Sequence, residues 1–501
     1  MQYLQIFRSK NSPSMTSSPA PKVPFGHAMR EAHFGFGGDY TPINHGSYGT
    51  YPLSVRDAHQ ALREEVEAAP DRFIVLDWPA RLRESRALIS NFLNCETDEL
   101  VLVPNATTGS DTVLKNIRWE KGDVVLVYEV VYEAVAAGLQ WLVDTFGVRV
   151  EVVPLPLPMG DAEIVDAMVG AARRIRQSAG ERLRLAIVDT VVSMPGLRIP
   201  FEALVPALQA EGALVFVDGA HGIGHVDIDL KTLKPDFFVT SLNKWLFVPR
   251  GVSALYVARR HQGLIRTSLP TSVRYRGRVE EGREEDEGAF VRLFDFVASH
   301  DMTNFLTVKA ALTFRSEICG GEDTIRSYCR AVARQGGEIA AEILGTEIMD
   351  APNSRMRECF FANVRLPLEI AAKLERSSDD AEIDNDAEIV TDEDDSDRER
   401  DGVAVSRRVG AAGRVAGVGE GVGVEGKIPL RDAAKLGMWF KETGVRESGF
   451  YFQTSLYRDA FWWRLSGMVY VDAEDFRRGA EVLQGLCERA SRGEYLGTQL
   501  E

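Results

Sequence analysis

Four polar groups stand where runs of apolar residues stop, and their types suit one kind of chemistry. Lys244 lies in "TSLNKWLFVPRG", between the apolar stretches "PDFFV" and "VSALYV". A desolvated lysine has a lowered pKa, and its neutral amine is a nucleophile toward carbonyl groups. Asp218 closes the run "LVFVD", with His221 three residues on. A buried carboxylate there needs a cation or hydrogen-bond donors. Thr107 and Thr108 follow "VLVPNA" and open a helical pattern. Free N–H groups and the positive end of a helix dipole at that point suit a phosphate. Arg464, in "FWWRLSG", offers a planar fork for a carboxylate. Each also has a plainer reading. Thr and Asp cap helices and turns, a lysine head reaches solvent past its stem, and arginine stacks on Trp462 or Trp463.

Taken in chain order, the four describe pyridoxal 5'-phosphate (PLP) with an amino-acid substrate. They would be a cradle for the phosphate, an anion for the protonated ring nitrogen, an amine for the aldehyde and a cation for the substrate carboxylate.

The elements that must position them are legible as patterns. Residues 100–104, 123–128, 148–155, 183–189, 213–219 and 236–241 are short, β-branched and nearly all apolar, as strands buried on both faces are. Helical periodicity separates most of them, and "SVRDAHQALREEVEAA" and "PARLRESRALISNFLN" precede them. The alternation predicts a mainly parallel α/β sheet covered by helices, with ligands beyond the carboxyl ends of its strands. After residue 426 the pattern predicts a smaller α+β lobe: helix in "RDAAKLGMWFKETG", strand in "WWRLSGMVYV", helix in "DAEDFRRGAEVLQGLCERAS".

Composition bounds the function. The chain has 501 residues and a formal charge of -16, which argues against a general nucleic-acid binder. Residues 379–401 hold about 13 acids and 2 bases, so the remainder is near -5. That acidic run and the Gly-rich stretch behind it mark 376–426 as an insertion without a packed core. Its Gly421, Gly423 and Gly426 have GxGxxG spacing but follow a charge run, where a dinucleotide loop requires a strand. No apolar run is long enough to span a membrane. Five scattered cysteines without a CxxC pair suggest a reducing compartment, and a cytoplasmic location is expected. The Ser- and Pro-rich residues 1–24 read as a disordered lead.

The motifs also resemble a known family. "INHGSYGTYP", "PNATTGSDTVLKN", "VVYEAV", "DTVVSMPGLRIPFEAL", "VDGAHGIGHVDIDL", "NKWLFVPRG", "FDFVASHDMT" and "WWRLSG" are similar to class V aminotransferase-family PLP enzymes of fold type I. The nearest branch contains isopenicillin N epimerase-like proteins and hercynylcysteine sulfoxide lyase. The resemblance implies a large PLP-binding domain over 25–310 and a small one over 311–501. It implies that Lys244 bonds the cofactor and moves protons at Cα, and that Asp218 pairs with the pyridine nitrogen. Thr107 and Thr108, with Thr240 or Ser241, would hold the phosphate. His221 would stand beside the phenolic oxygen, and Tyr132 would stack on the ring and donate a proton. Asn44 and His45 would line the substrate entrance, Arg464 would bind the α-carboxylate, and Ser299 would reach the phosphate of a neighbouring subunit in a C2 homodimer. Three features depart from the family pattern: Asn243 replaces a frequent His before the lysine, Glu133 replaces a frequent Gly after the stacking tyrosine, and the acidic insertion over 376–426 is foreign to it.

The fold permits several reactions. C–S bond cleavage by β-elimination on a cysteine conjugate or sulfoxide is the expected one. Epimerisation is the runner-up, followed by transamination, desulfuration and loss of catalysis.

Overall fold

A computed structural model describes residues 20–272, 274–277, 288–371 and 427–497. Its apolar runs form a seven-stranded sheet: β1 (Leu100–Val103), β2 (Asp123–Tyr128), β3 (Arg149–Val153), β4 (Arg182–Asp189), β5 (Leu214–Asp218), β6 (Phe237–Ser241) and β7 (Ser253–Val257). The order is β1-β7-β6-β5-β4-β2-β3. Helices α1 (Leu53–Ala68) and α2 (Trp78–Leu93) precede β1. Between the strands lie α3 (Ala106–Asn116), α4 (Glu133–Phe146), α5 (Asp161–Gln177) and α6 (Phe201–Ala210). Alternate residues of each strand enter two different cores. Val101 and Val103 pack with α3 and α4, whereas Leu100 and Leu102 join the larger core on the opposite face. Burial on both faces is why the strands lack a polar stripe.

One strand departs from the parallel expectation. β7 runs antiparallel to both β1 and β6. Its "SALYV" returns the chain directly after the lysine turn. The other six therefore point the same way, and their carboxyl ends share one edge. Ser241 and Val103 both pair with Ser253, while Asp218 pairs with Val239 on one side and Asp189 on the other.

The second sheet is antiparallel, in the order β8 (Phe361–Arg365), β10 (Ala460–Ser466), β9 (Thr454–Tyr457). Helices α7 (Glu322–Leu344), α8 (Ala433–Ser448) and α9 (Ala473–Ser491) accompany it. The strand expected through Val471 ends at Ser466. A Cβ on Gly467 would lie 2.3 Å from the Cys329 carbonyl oxygen, so the chain turns off where it meets α7. The segment after residue 25 is stitched to this lobe: Gly26 N donates to Val469 O, and Ser466 N donates to Ile43 O.

The insertion expected over 376–426, its GxGxxG triad and residues 1–19 of the lead lie outside the described residues. Their flanks are ordered. Lys22 N donates to Ile318 O. Ala371 N donates to Ile428 O at 2.9 Å, and Ile428 N to Glu369 O at 2.8 Å, so the chain leaves and returns at adjacent backbone positions. Replacing 372–426 by a short Gly-Ser linker should therefore leave the unfolding temperature and the absorbance of bound cofactor unchanged, as calorimetry and visible spectra would report. No described helix is long and apolar enough to cross a membrane.

Candidate active site

The shared edge of the sheet gathers the charged groups. A single helical turn, Leu242–Trp245, follows β6 and carries Lys244. Its Nζ is 3.1 Å from His221 Nε2 and 6.0 Å from the centroid of the Tyr132 ring. Burial pulls the amine down to about 8, against the raising effect of Asp218 and with a further push from the Arg464 charge. At neutral pH a useful fraction of the amine is already a nucleophile.

Asp218 ends β5, almost wholly buried. Among the described residues its side chain accepts one hydrogen bond, from Ala220 N at 2.9 Å. Asp189 ends β4 directly opposite, and Tyr128 from β2 donates its hydroxyl to Asp189 Oδ2 at 2.6 Å. Burial raises both carboxyls, and the Asp218 charge raises Asp189 further. Two buried carboxyls side by side hold negative charge poorly, the Lys244 charge offsets this only in part, and a further cation would favour the ionised form. A protonated ring nitrogen is such a cation.

At the end of β1, Asn105 caps α3. Its Oδ1 accepts from Thr108 N at 2.7 Å and from the Thr108 hydroxyl at 3.0 Å. The capping role thus belongs to Asn105, and Thr107 stays exposed beside the free first N–H groups of the helix. A Cβ on Gly109 would lie 2.6 Å from Val239 Cγ2, so this glycine lets the N-terminal turn sit directly on β6. Thr240 and Ser241, the two residues expected near the phosphate, point to opposite faces of β6. Thr240 is fully buried on the face away from α3, with its hydroxyl accepting from Ile223 N. Ser241 shares the α3 face with Val239.

Arg464 is 1% exposed. Nη1 donates to Ser193 O at 2.7 Å, and Nη2 to Ser47 Oγ at 2.8 Å and Asn44 Oδ1 at 3.1 Å. The ring beneath it is Phe361, at 4.5 Å, where the sequence pointed to a neighbouring tryptophan. Every partner is neutral, no carboxylate pairs with it among the described residues, and its Nε is unpartnered. Burial draws the guanidinium down to about 10. A buried, uncompensated fork awaits an anion.

Asn44 and His45 were expected at an entrance, but both are buried. Asn44 orients Arg464. His45 is hydrogen-bonded to the Tyr470 hydroxyl and is pushed down to about 3 by burial, so it is neutral. The cause is glycine. Gly49 has φ +67°, and a Cβ there would lie 1.8 Å from the Asn243 carbonyl oxygen. The segment packs flat on the lysine turn, and Tyr48, 62% exposed, takes the rim instead. Asn243, the departure before the lysine, donates Nδ2 to Tyr48 O at 3.1 Å and clamps this segment. Glu133, the other departure, is exposed at the start of α4, and its charge helps raise Tyr132, after burial. Ser299 is exposed and, among the described residues, shares no hydrogen bond with the cluster. Sequence reasoning missed Asp189, Tyr128, Ser193 and Ser47. The first had a signal: β4 ends apolar-then-Asp as β5 does.

A class-V aminotransferase family model matches residues 75–280. An L-cysteine desulfhydrase-like protein of Epichloe uncinata is 33% identical over 483 residues, spanning 93% of this chain and 97% of that protein. The chain belongs to the class-V aminotransferase family. It is a PLP-dependent enzyme, as its motifs implied. Hercynylcysteine sulfoxide lyase of Schizosaccharomyces pombe is 30% identical, spanning 70% of this chain and 86% of that protein. Isopenicillin N epimerase of Streptomyces clavuligerus is 27% identical, spanning 67% and 83%. The fold is that of a solved cystine C–S lyase in complex with cysteine persulfide, with TM-score 0.62, 17% identity and 89% and 98% coverage. This is fold type I, as expected.

Proposed function

We propose that this enzyme is a C–S lyase that cleaves L-cysteine or an S-substituted cysteine by β-elimination to pyruvate, ammonia and a sulfur product. The observation that carries the reading is the partly neutral Lys244 amine beside Tyr132, with no reactive thiol to divert the sulfur. All five cysteines are free, none is exposed, and burial pushes each thiol up. A persulfide-forming desulfurase needs an accessible thiolate. The desulfhydrase-like and sulfoxide-lyase relatives support the same reading.

Bound at this edge of the sheet, PLP supplies the electron sink that acidifies Cα and lets a group leave from Cβ. Thr107, Thr108 and Ser241 hold its phosphate, and Asp218 keeps its ring nitrogen protonated. Arg464 fixes the substrate carboxylate and thereby the orientation of Cα. Lys244 takes the α-proton, and the Tyr132 hydroxyl delivers a proton to the departing sulfur. Lobes spanning 25–310 and 311–501, a C2 homodimer in which Ser299 serves the neighbouring site, and a cytoplasmic location complete the proposal. Val75 and Leu76, 68% and 67% exposed, support a covered surface.

Incubation with cysteine and a panel of cysteine S-conjugates and sulfoxides tests this. Pyruvate should appear with at least one of them, and none across the panel refutes the reading. The amine also predicts a pH profile. Lys244 is lowered, so its neutral form appears at lower pH than for a free lysine. Capture of PLP by the apoprotein should accelerate about tenfold from pH 7 to 9 and then level, whereas an ordinary lysine keeps gaining beyond pH 9. Stopped-flow absorbance reads the difference.

A further inference from the structure

His221 has two ring nitrogens with different obligations. Nδ1 is 3.2 Å from the indole nitrogen of Trp245. An indole N–H only donates, so Nδ1 must present its lone pair. Burial, then the Lys244 charge, lowers His221 well below its ordinary range, which leaves the ring neutral. A neutral imidazole carries one proton, and it must sit on Nε2. Nε2 lies 3.1 Å from Lys244 Nζ. The indole donates to the imidazole, and Nε2–H can donate onward only when the Lys244 amine is neutral, since an ammonium has no lone pair to accept it.

The surroundings hold this arrangement from behind. Trp245 is fully buried, and its carbonyl accepts from Arg315 Nη1 at 2.7 Å. His225 packs on its ring at 4.2 Å between centroids. His225 Nε2 accepts from Phe360 N at 2.7 Å, so its proton is on Nδ1, which donates to His221 O at 2.9 Å. Two neighbouring buried histidines thus carry opposite tautomers, each fixed by a group that can only donate. Simple stacking does not explain the Trp245–His221 contact, since those rings are 6.2 Å apart and tilted by 56°.

We propose that Trp245 is a positioning residue that fixes His221 as the Nε2–H tautomer, making it a hydrogen-bond donor toward the cofactor and toward the Lys244 nitrogen whenever that nitrogen is neutral. The residue next to the lysine therefore sets what the lysine's neighbour offers. A fixed donor favours an anionic oxygen on the cofactor over a hydroxyl. The inference rests on Lys244 being the cofactor lysine and is independent of which bond the enzyme breaks.

The test uses protein labelled with nitrogen-15 in the histidine rings, studied by long-range proton–nitrogen correlation with and without PLP. His221 is assigned by its loss in His221→Gln. The wild type should show His221 as a single Nε2–H tautomer without PLP at pH 9, where the Lys244 amine is largely neutral, and with PLP at every pH from 6 to 9. An Nδ1–H pattern or a mixture in the wild type under those conditions overturns the proposal, whether or not any variant folds. Trp245→Phe keeps the ring and removes the donor. It should give mixed tautomers and shift the pH midpoint of the bound-cofactor absorbance, and an unchanged tautomer there also overturns the proposal. Gln offers an acceptor to the indole and a donor to the amine. His221→Gln should therefore keep the wild-type midpoint, and His221→Leu should lose it. No substrate is present in these measurements, so absence of elimination would sink the lyase reading alone.

Discussion

Lys244→Ala protein should bind PLP only reversibly, show no borohydride-fixed label and lose at least ~10⁴-fold in turnover, since it lacks both the carbonyl-capturing amine and the α-proton base. Lys244 is held by a one-turn helix between β6 and the flat-packed 44–49 segment, and burial has already lowered its amine to about 8. Among the described residues Lys441, half-buried on α8, also lies within reach of the Arg464 charge. Peptide mapping after borohydride reduction of the wild type should find the cofactor on Lys244. Label on Lys441, or a Lys244→Ala protein that keeps its turnover, would contradict the assignment.

Arg464→Met and Arg464→Lys should both lower kcat/KM by ~10²–10³-fold, mostly through KM. Removing one side of a buried charge-assisted pair costs ~2–5 kcal/mol. Lysine does not rescue, because a single ammonium cannot bond Ser193, Asn44 and Ser47 while presenting a second edge to a carboxylate. Stability should move the other way. The resting protein keeps this guanidinium buried without an acid partner, so the methionine variant should unfold at the same or a higher temperature. Kinetics with and calorimetry without substrate separate the two effects. Unchanged kcat/KM in both variants would remove Arg464 from the substrate site.

What was legible in the sequence was whatever a single segment could show. The strand runs, the helices between them and the polar residues at strand ends needed only local pattern. The antiparallel β7 was within reach too. Eleven residues separate Ser241 from Ser253, and a parallel crossover requires a dozen or more. Asp189 was out of reach as a partner of Asp218, because their opposition depends on β4 pairing with β5 in register. Phe361 beneath Arg464 is likewise a product of the β8–β10 pairing, which places a residue about a hundred positions away under the guanidinium. The position of His45 followed from Gly46 and Gly49, whose meaning appears only once the lysine turn lies against them. Asn243 reads differently for the same reason. In sequence it was a missing proton carrier, whereas in the fold its amide ties the lysine turn to the segment that holds Arg464 through Asn44 and Ser47.

In the proposed reaction, proton removal by Lys244 is followed by departure of sulfur from Cβ. The direct measurement is a single incubation in deuterated water with cysteine and an S-conjugate, following pyruvate, released thiol or sulfide, and deuterium at Cα of the remaining substrate. Pyruvate and sulfur product should form in equal amounts, and neither should form with Lys244→Ala. Deuterium entering Cα with no pyruvate and no sulfur released would contradict it and mark the enzyme as an epimerase.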